Sequence, residues 1–510
     1  MTDTIRLVVG NVNTVIDTKL PKSTMDSIKK VVGYRDEQAE WKMRAIENKL
    51  KAEGKPHFWV RQKMGDGIVS CIIYDKEKKK YVFPSGLLSN VKTFLKECNL
   101  AYELVDERSQ PAQIKGYNLS PEISLRDYQS KAVEKSVKQT RGIVRAATGS
   151  GKTAIASAII ADVGAVPSIF YVTSIDLMRQ AKDEIEKFIR YNNKPIKVGQ
   201  VGAGKFDLQD ITVMTVQTAV RALGHKYTKY DDEDFDDHKY NISTTQGQKL
   251  QQFIKSAGAI YCDEVHHWCA KTCQIIASSS EFAKYRYGFS ATPFRDQGDD
   301  MLIDACFGKV ICDIKASDLI RKKYLVRPTI YFVHTPKKNV EGSYDRVYKD
   351  GIINNQDRNL LISNIAEEMK KRDRKILILI KNIEHGNILE SLIPDSFFLH
   401  GSHKAEERNK WIDKMREGEA SITISTSLFD EGVDIKPLNA LILAGSGASK
   451  TRALQRIGRV IRPYSNGNYV KDDAIVVDFV DNIKYMRKQS NTRRKIYKTE
   501  PEFEIRDWKI

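Results

Sequence analysis

GIVRAATGSGKTAIASAII, residues 142–160, decides how this chain is read. A short apolar run of strand type, 142–146, enters a loop of small residues and leaves it into an apolar, helix-compatible stretch. Small residues let a backbone curl around a phosphate, and the loop N–H groups with the start of the helix supply positive potential. Thr148, Gly149, Ser150 and Gly151 are the candidate cradle, Lys152 is placed to reach the outer phosphates, and the Thr153 hydroxyl suits Mg²⁺. The strict form of this loop has glycine five positions before Gly151, where this chain has Ala146. On its own, then, the segment also fits a Gly-Ser turn capping a helix.

About 110 residues on comes AIYCDEVHHW, residues 259–268, an apolar strand that delivers Asp263 and Glu264 at its C-terminal end. Ligands of open α/β sheets bind at that end. Asp263 suits the Mg²⁺ shell, and Glu264 suits the base that orients and deprotonates an attacking water. A third stretch, RIGRVIRP at 456–463, holds Arg459 and Arg462 three apart, hence on one face if helical. Two guanidiniums aimed at one place suit the charge that develops on a transferring phosphoryl group.

Around these stretches, short β-rich runs alternate with helical ones: 142–146, 169–173, 211–215, 259–262 and 287–290, then 376–380, 397–400, 421–426, 440–444 and 474–479. Apolar strands separated by helices imply parallel, doubly wound sheets. The series breaks near 319–328, so the body divides into two α/β lobes, 116–325 and 326–510. Residues 1–115 read differently. Residues 23–50 are charged and helix-compatible, 68–74 and 81–83 form a strand pair about a polar turn, 84–86 open a helix, and 106–116 form a polar linker. The acidic run 231–237 is expected as an exposed loop, and 487–498, with six basic residues in twelve, as a basic tail, either a solvated helical end or a path that tracks a nucleic-acid backbone beside the second lobe.

Composition narrows the classes. The 510 residues carry 83 Lys and Arg against 66 Asp and Glu, a net charge of +17, which favours a polyanionic partner. At 41% hydrophobic the chain is too rich in core formers to be disordered, and no apolar run is long enough to span a membrane. The N-terminal stretch lacks the basic, apolar and small-residue order of a secretory signal. Seven scattered cysteines with no CxxC pair read as free thiols of a reducing, cytoplasmic compartment. The alternative, zinc held by His266, His267, Cys269 and Cys273, would draw all four ligands from one continuous stretch.

With the three phosphate-site stretches in order, the chain resembles the superfamily 2 helicases and translocases over nearly all of 120–480. The resemblance implies two RecA-like parallel-sheet lobes with ATP between them and a nucleic-acid strand crossing both. LRDYQ at 125–129 resembles the adenine-recognition motif, which would put Arg126 and Gln129 at the base. Lys152 and Thr153 match the phosphate motif; Asp263, Glu264 and His266 match the DExH form of the second motif. Ser290, Ala291 and Thr292 match the SAT motif that couples nucleotide to nucleic acid. STSLFDEGVDI at 425–435 brings Gly432 and Asp434 to the nucleotide, and Gln455, Arg459 and Arg462 match the last motif. By motif position, backbone contacts to nucleic acid fall to Thr173, Ser174, Thr215, Gln217, His400, Gly401 and Thr426, although Val172 stands where the family usually has proline. Ser or Thr at a strand end is also an ordinary helix cap.

Within the superfamily, a small α+β module ahead of two lobes looks like the phage UvsW-type recombination helicases and, more distantly, XPB-like and RecG-like translocases. That likeness implies a small α+β DNA-binding module, with Arg61, Lys63 and the hairpin lysines Lys76, Lys78, Lys79 and Lys80 as contacts and Phe58 and Trp59 as stacking surfaces. A solvated lysine-rich hairpin and two core aromatics fit the same residues. The function expected is an ATP- and Mg²⁺-dependent DNA helicase or translocase acting on forks and Holliday junctions, with RNA in R-loops as a further substrate. A monomer in the cytoplasm, the host's if phage-encoded, is expected. The alternatives are the motor of a restriction or other complex, an RNA helicase, and a scaffold with a dead ATPase. No nuclease-like extension flanks the lobes, DEVHH replaces DEAD, and intact Lys152, Asp263, Glu264, Arg459 and Arg462 speak against a scaffold.

Overall fold

The computed structural model describes residues 4–35, 37–53, 56, 68–225, 244–292, 300–426, 435–445, 447, 450–467 and 469–508. The expected contacts Arg61 and Lys63, the aromatics Phe58 and Trp59, the acidic run 231–237, and Gly432 with Asp434 lie outside the described residues. The chain forms two compact units, residues 1–145 with 152–313, and residues 146–151 with 314–510.

Among the described residues, the first unit holds two large sheets, of five and eight strands, beside three small ones. At its N-terminus Ile5–Val9 pairs antiparallel with Asn13–Ile16 and parallel with Tyr102–Asp106. Asn13–Ile16 continues to Lys80–Pro84, and that strand to Ile73–Asp75 at the edge, both antiparallel. Alternation buries Ile5, Leu7 and Val9, and Ile5 and Leu7 meet Met25 and Ile28 of the helix Lys22–Val31 and Val91 and Leu95 of the helix Leu88–Glu97.

Three local expectations for this module need correction. The stretch 68–74 is not one strand: Ile68–Ser70 pairs with Gly33–Arg35, and Ile73–Asp75 with a different sheet. Ser70 Oγ accepts the Ile72 N–H at 3.2 Å, a local side-chain turn that breaks the ladder between them. The helix-compatible region 23–50 is two helices, Lys22–Val31 and Glu37–Ala52, parted by the strand at Gly33–Arg35. The polar linker is not free either. Ala112–Gln113 pairs with Ala165–Val166, and the Ile114 N–H donates to the Gly164 carbonyl.

The second sheet of this unit has eight strands, in the order Lys205–Asp207, Gly199–Gly202, Ile211–Thr215, Ser168–Val172, Ala259–Cys262, Tyr285–Ser290, Arg141–Ala146 and Val310–Ile314. From Gly199–Gly202 through Arg141–Ala146 all neighbours are parallel. Ile211–Thr215, Ser168–Val172 and Ala259–Cys262 are buried throughout, as strands covered on both faces must be. The N-terminal module is seated on this body through Gly86. A Cβ there would lie 2.1 Å from the Asp304 carbonyl oxygen and 2.5 Å from that of Ala305, both in the helix Met301–Phe307. Asn11 adds hydrogen bonds to Ser109 Oγ and to the Glu281 carbonyl, and Arg141 donates to the Asn11 carbonyl.

The second unit is built on a seven-stranded, wholly parallel sheet in the order Ser396–Leu399, Ile422–Ser425, Ile376–Leu379, Ala440–Leu443, Asp473–Val480, Arg327–His334 and Glu504–Trp508. Two buried ion pairs lie beside its long strand Asp473–Val480. Arg358 donates to Asp481 at 2.7 and 3.2 Å with both side chains 1% exposed, and Arg493 to Asp478 at 2.7 and 2.8 Å. The expected basic tail is therefore corrected. Residues 487–498 belong to the helix Met486–Tyr497, docked through Met486, Ser490, Arg493 and Tyr497, and the chain then returns as an edge strand. Apolar and pairing residues recur along one side of that helix, and the mean charge of the segment hid them.

Two outcomes test these packing claims. Gly86→Ala forces a Cβ into backbone that cannot yield, so it should destabilise the first unit by about 1–3 kcal/mol in denaturant unfolding. Asp481→Asn leaves the Arg358 charge buried without its carboxylate and should lower stability by about 3–5 kcal/mol, measured the same way.

Candidate functional site: a lysine–glutamate pair at the strand ends

The first unit gathers four polar side chains at the C-terminal ends of its central strands. Ala259–Cys262 lies between Ser168–Val172 and Tyr285–Ser290, and the next residue, Asp263, is held by its N–H to the Tyr171 carbonyl at 3.0 Å. Its carboxylate accepts the Glu264 N–H at 3.0 Å. Glu264 itself adopts φ 44° and ψ 56°, the left-handed region that non-glycine residues rarely occupy. That turn sends its carboxylate to a different neighbour from that of Asp263. Strain of this kind is kept only where the surroundings dictate it.

The surroundings here are ionic. Lys152 Nζ donates to Glu264 Oε1 at 2.9 Å; Ser290 Oγ donates to Oε2 at 3.0 Å; His266 Nδ1 lies 3.3 Å from both Oε2 and Ser290 Oγ. Both members of the lysine–glutamate pair are mostly buried, at 16% and 12% side-chain exposure. Burial would raise the Glu264 pKa, but the Lys152 ammonium and then the His266 ring outweigh it and hold the carboxyl well below the usual range. Phosphate, base and coupling candidates thus share one hydrogen-bonded network: Lys152, Glu264, His266 and Ser290. Thr292 is buried two residues on, with its N–H donated to Ser290 Oγ at 3.2 Å.

Just ahead of Lys152, the loop closes on itself through the Ser150 N–H and the Ala147 carbonyl, 3.0 Å apart. Gly149 and Gly151 take φ of 83° and 79°, conformations that a side chain would strain. Thr148 Oγ1 is buried in this loop with no hydrogen-bond partner, a polar atom turned inward beside a phosphate cradle. The helix Lys152–Val163 then begins with Thr153 in its first turn. Magnesium takes hard oxygen ligands and keeps several waters alongside substrate phosphates, so the Thr153 hydroxyl and the Asp263 carboxylate have the chemistry to hold it.

Other expected residues fall as follows. Gln129 is buried, and its Oε1 accepts the Arg126 N–H at 2.9 Å, a capping interaction that fixes the amide at the start of the helix Asp127–Gln139. Ser174 and Thr215 cap the helices Ile175–Phe188 and Val216–Ala222, each accepting the N–H three residues on. The capping role accounts for both hydroxyls. Thr173 is buried, and its carbonyl accepts from Gln217 Nε2 at 2.7 Å, which joins two of the expected nucleic-acid positions. Lys78 and Lys79 are exposed at the hairpin tip, where Asp75 Oδ1 accepts the N–H groups of Glu77 and Lys78. Lys80, by contrast, is paired with Asp17.

In the second unit, His400 and Gly401 follow the strand Ser396–Leu399, and Thr426 follows Ile422–Ser425. Burial and the neighbouring His403 push the His400 pKa down. Gln455 and Arg459 are buried on the helix Lys450–Val460. Arg462 is not on that helix, which corrects the shared-face argument. Pro463 disfavours helical backbone at the residue before it, and the helix stops at Val460. The anchor for Asp263, the Tyr171 carbonyl, was not among the expected residues. Backbone atoms carry no sequence signature, and only the sheet register reveals it.

Comparison with known proteins bears on the family of the chain. Residues 122–295 match the family described as type III restriction enzyme, res subunit, and residues 357–464 match the helicase conserved C-terminal domain. The chain is 26% identical over 442 residues to the DNA 3'-5' translocase XPB2 of Sulfurisphaera tokodaii, covering 78% of this chain and 91% of that protein. It is 22% identical to the ATP-dependent DNA helicase uvsW of Enterobacteria phage T4, covering 84% of each. A structure of S. cerevisiae Dbp5 bound to RNA and ADP BeF3 shares the fold, with a TM-score of 0.50 at 17% identity over 75% of this chain and 89% of that one. Two helicase domains in order, around a buried Lys152–Glu264 pair at the ends of parallel strands, make the chain a superfamily 2 helicase, an ATPase of the DNA helicase and translocase family with UvsW-like and XPB-like relatives.

Proposed function

We propose that the chain remodels branched DNA, using ATP hydrolysis to migrate Holliday junctions and forks and to anneal strands, with R-loops as further substrates. The observation that carries this reading is the N-terminal module seated on the ATP-site body through Gly86, with a lysine-bearing hairpin at its far edge. Lys76, Lys78 and Lys79 are exposed there, and among the described residues none of them is paired with a carboxylate. A rigid basic probe fixed to a motor suits a junction, where duplex arms leave the translocated strand at an angle. The likeness to a phage helicase over 84% of both chains supports the same reading. On this view residues 1–115, 116–325 and 326–510 act as docking module, first lobe and second lobe of a monomer.

The chemistry follows from the network. A nucleotide phosphate that takes up Lys152 withdraws the cation that depresses the Glu264 pKa, so the carboxylate becomes a stronger base as substrate arrives. Ser290 and His266 keep that carboxylate in position, and a change at either would be felt at the base. Magnesium bound with the nucleotide would neutralise phosphate charge, with Thr153 and Asp263 as its protein ligands. Gln129 and Arg126 would hold the base, and Arg459 and Arg462 would meet the developing charge.

Lys152→Ala should reduce DNA-stimulated ATP turnover by about 10²–10³-fold or more while sparing DNA binding, measured by coupled ATPase assay and anisotropy. Full turnover in that variant would refute the site. The substrate is tested by ATPase stimulation and unwinding across single strands, duplexes, four-way junctions and R-loops. Junctions and forks should stimulate most, and replacing Lys76, Lys78 and Lys79 by alanine should remove that preference while leaving single-strand stimulation in place. Equal stimulation by all four substrates would overturn the branched-DNA reading.

A further inference from the structure

The helix Met486–Tyr497 buries one side and opens the other, and the open side is a concave surface. Lys484, Arg487, Lys488 and Lys495 line it together with Asn482, Asn491 and Thr492, and no carboxylate lines it. All four cations are exposed, and among the described residues none of them pairs with an acid, while Arg493 and Arg494 of the same helix are both spent on Asp478 and Asp507. Four exposed like charges with no carboxylate among them raise the positive potential over this surface.

Tyr485 belongs to the same surface. Its backbone sits at φ 67° and ψ −44°, an outlying conformation for a bulky residue, and its side chain is still 41% exposed. The ring is held rather than loose: the Tyr344 ring lies 5.9 Å away and Lys484 Nζ 5.1 Å from its centre. Tyr348 and Lys381 extend the aromatic–cation group behind it, with Val347, Ile352, Ile483 and Met486 packed beneath.

We propose that this cleft is a second nucleic-acid site, taking one strand with its phosphodiesters on Arg487, Lys488 and Lys495 and a base stacked on Tyr485. Cations spaced along a groove with an aromatic platform at one end are what a single strand needs. The phosphates supply the missing counter-charge, every base has a face to stack, and Asn491 and Thr492 add uncharged hydrogen-bonding groups between the cations. The inference rests on the nucleic-acid motor reading but not on the preference for branched DNA. It gives the motor a hold on a strand outside the family motifs.

The test measures anisotropy of a labelled single-stranded oligonucleotide against salt, using the full chain and three variants. Replacing Arg487, Lys488 and Lys495 together by alanine should flatten the log–log salt dependence by about 2, from about 0.7 per lost phosphate contact. Replacing Lys371, Arg372 and Lys410 instead controls for net charge and should leave the slope as it was. Tyr485→Phe should bind as the parent does. Tyr485→Gly should bind about 5–100-fold more weakly, as loss of one stacked base predicts, yet melt at a higher temperature because the strain is relieved. ATP turnover without DNA should be unchanged in all of them. An unaltered slope in the cleft variant, or an equal change in the control set, would overturn the site. If the parent chain binds no strand, the motor reading fails with it; if the parent's ATPase is stimulated by DNA and the cleft variants match it in slope and affinity, the cleft alone fails.

Discussion

The ion pair between Lys152 and Glu264 is the constraint around which the first unit is arranged. A mostly buried carboxylate needs a partner, and a mostly buried ammonium needs one as much. The pair meets that need only if the phosphate-loop helix and the strand Ala259–Cys262 end at the same level. Parallel pairing across Ser168–Val172, Ala259–Cys262, Tyr285–Ser290 and Arg141–Ala146 provides that alignment. Parallel strands in turn require crossovers on both faces, which is why the helices each carry a buried apolar face and the central strands carry no polar side. The left-handed turn at Glu264 is the local cost of turning two adjacent carboxylates toward different neighbours.

How much of this was legible beforehand differs by element. Strands buried on both faces announce themselves as unbroken apolar runs, so Ile211–Thr215 and Ala259–Cys262 were read to the residue and the other runs singled out to within a residue or two, whereas Gly199–Gly202 and Arg327–His334 were not singled out. The phosphate loop and DEVHH were legible because their chemistry demands particular residue types at fixed spacing. Three things were hidden. The break between Ser70 and Ile73 depends on one hydroxyl, and no periodicity records that. The stop at Val460 shows how a proline three residues past a helix limits a spacing argument. The segment 487–498 hid most, because charge that ends in buried pairs looks, in a sequence, the same as charge that ends in water.

That last case bears on how basic composition should be read. The surplus of 17 positive charges is not one diffuse field. Some cations are consumed in the interior, as Arg358 and Arg493 are, and some neutralise surface acids, as Lys80 does for Asp17. Among the described residues, two groups of exposed cations with no ion pair are those of the hairpin tip and those along the outer side of the helix Met486–Tyr497, where no carboxylate lines the surface. Electrostatic steering of a strand depends on that residue of unmatched charge rather than on the total.

The strand Glu504–Trp508 has a consequence for how the protein is made. It runs parallel to Arg327–His334, about 170 positions earlier, and it is reached only through the helix Met486–Tyr497. A ribosome therefore releases the first unit's sheets long before the second unit can close its own. Until Glu504–Trp508 emerges, Arg327–His334 presents an unpaired backbone edge, the kind of surface that recruits stray strands. The nascent chain passes through a stage in which an assembled ATP-site body is tethered to an unfinished sheet. A chain cut before Glu504 would remain at that stage.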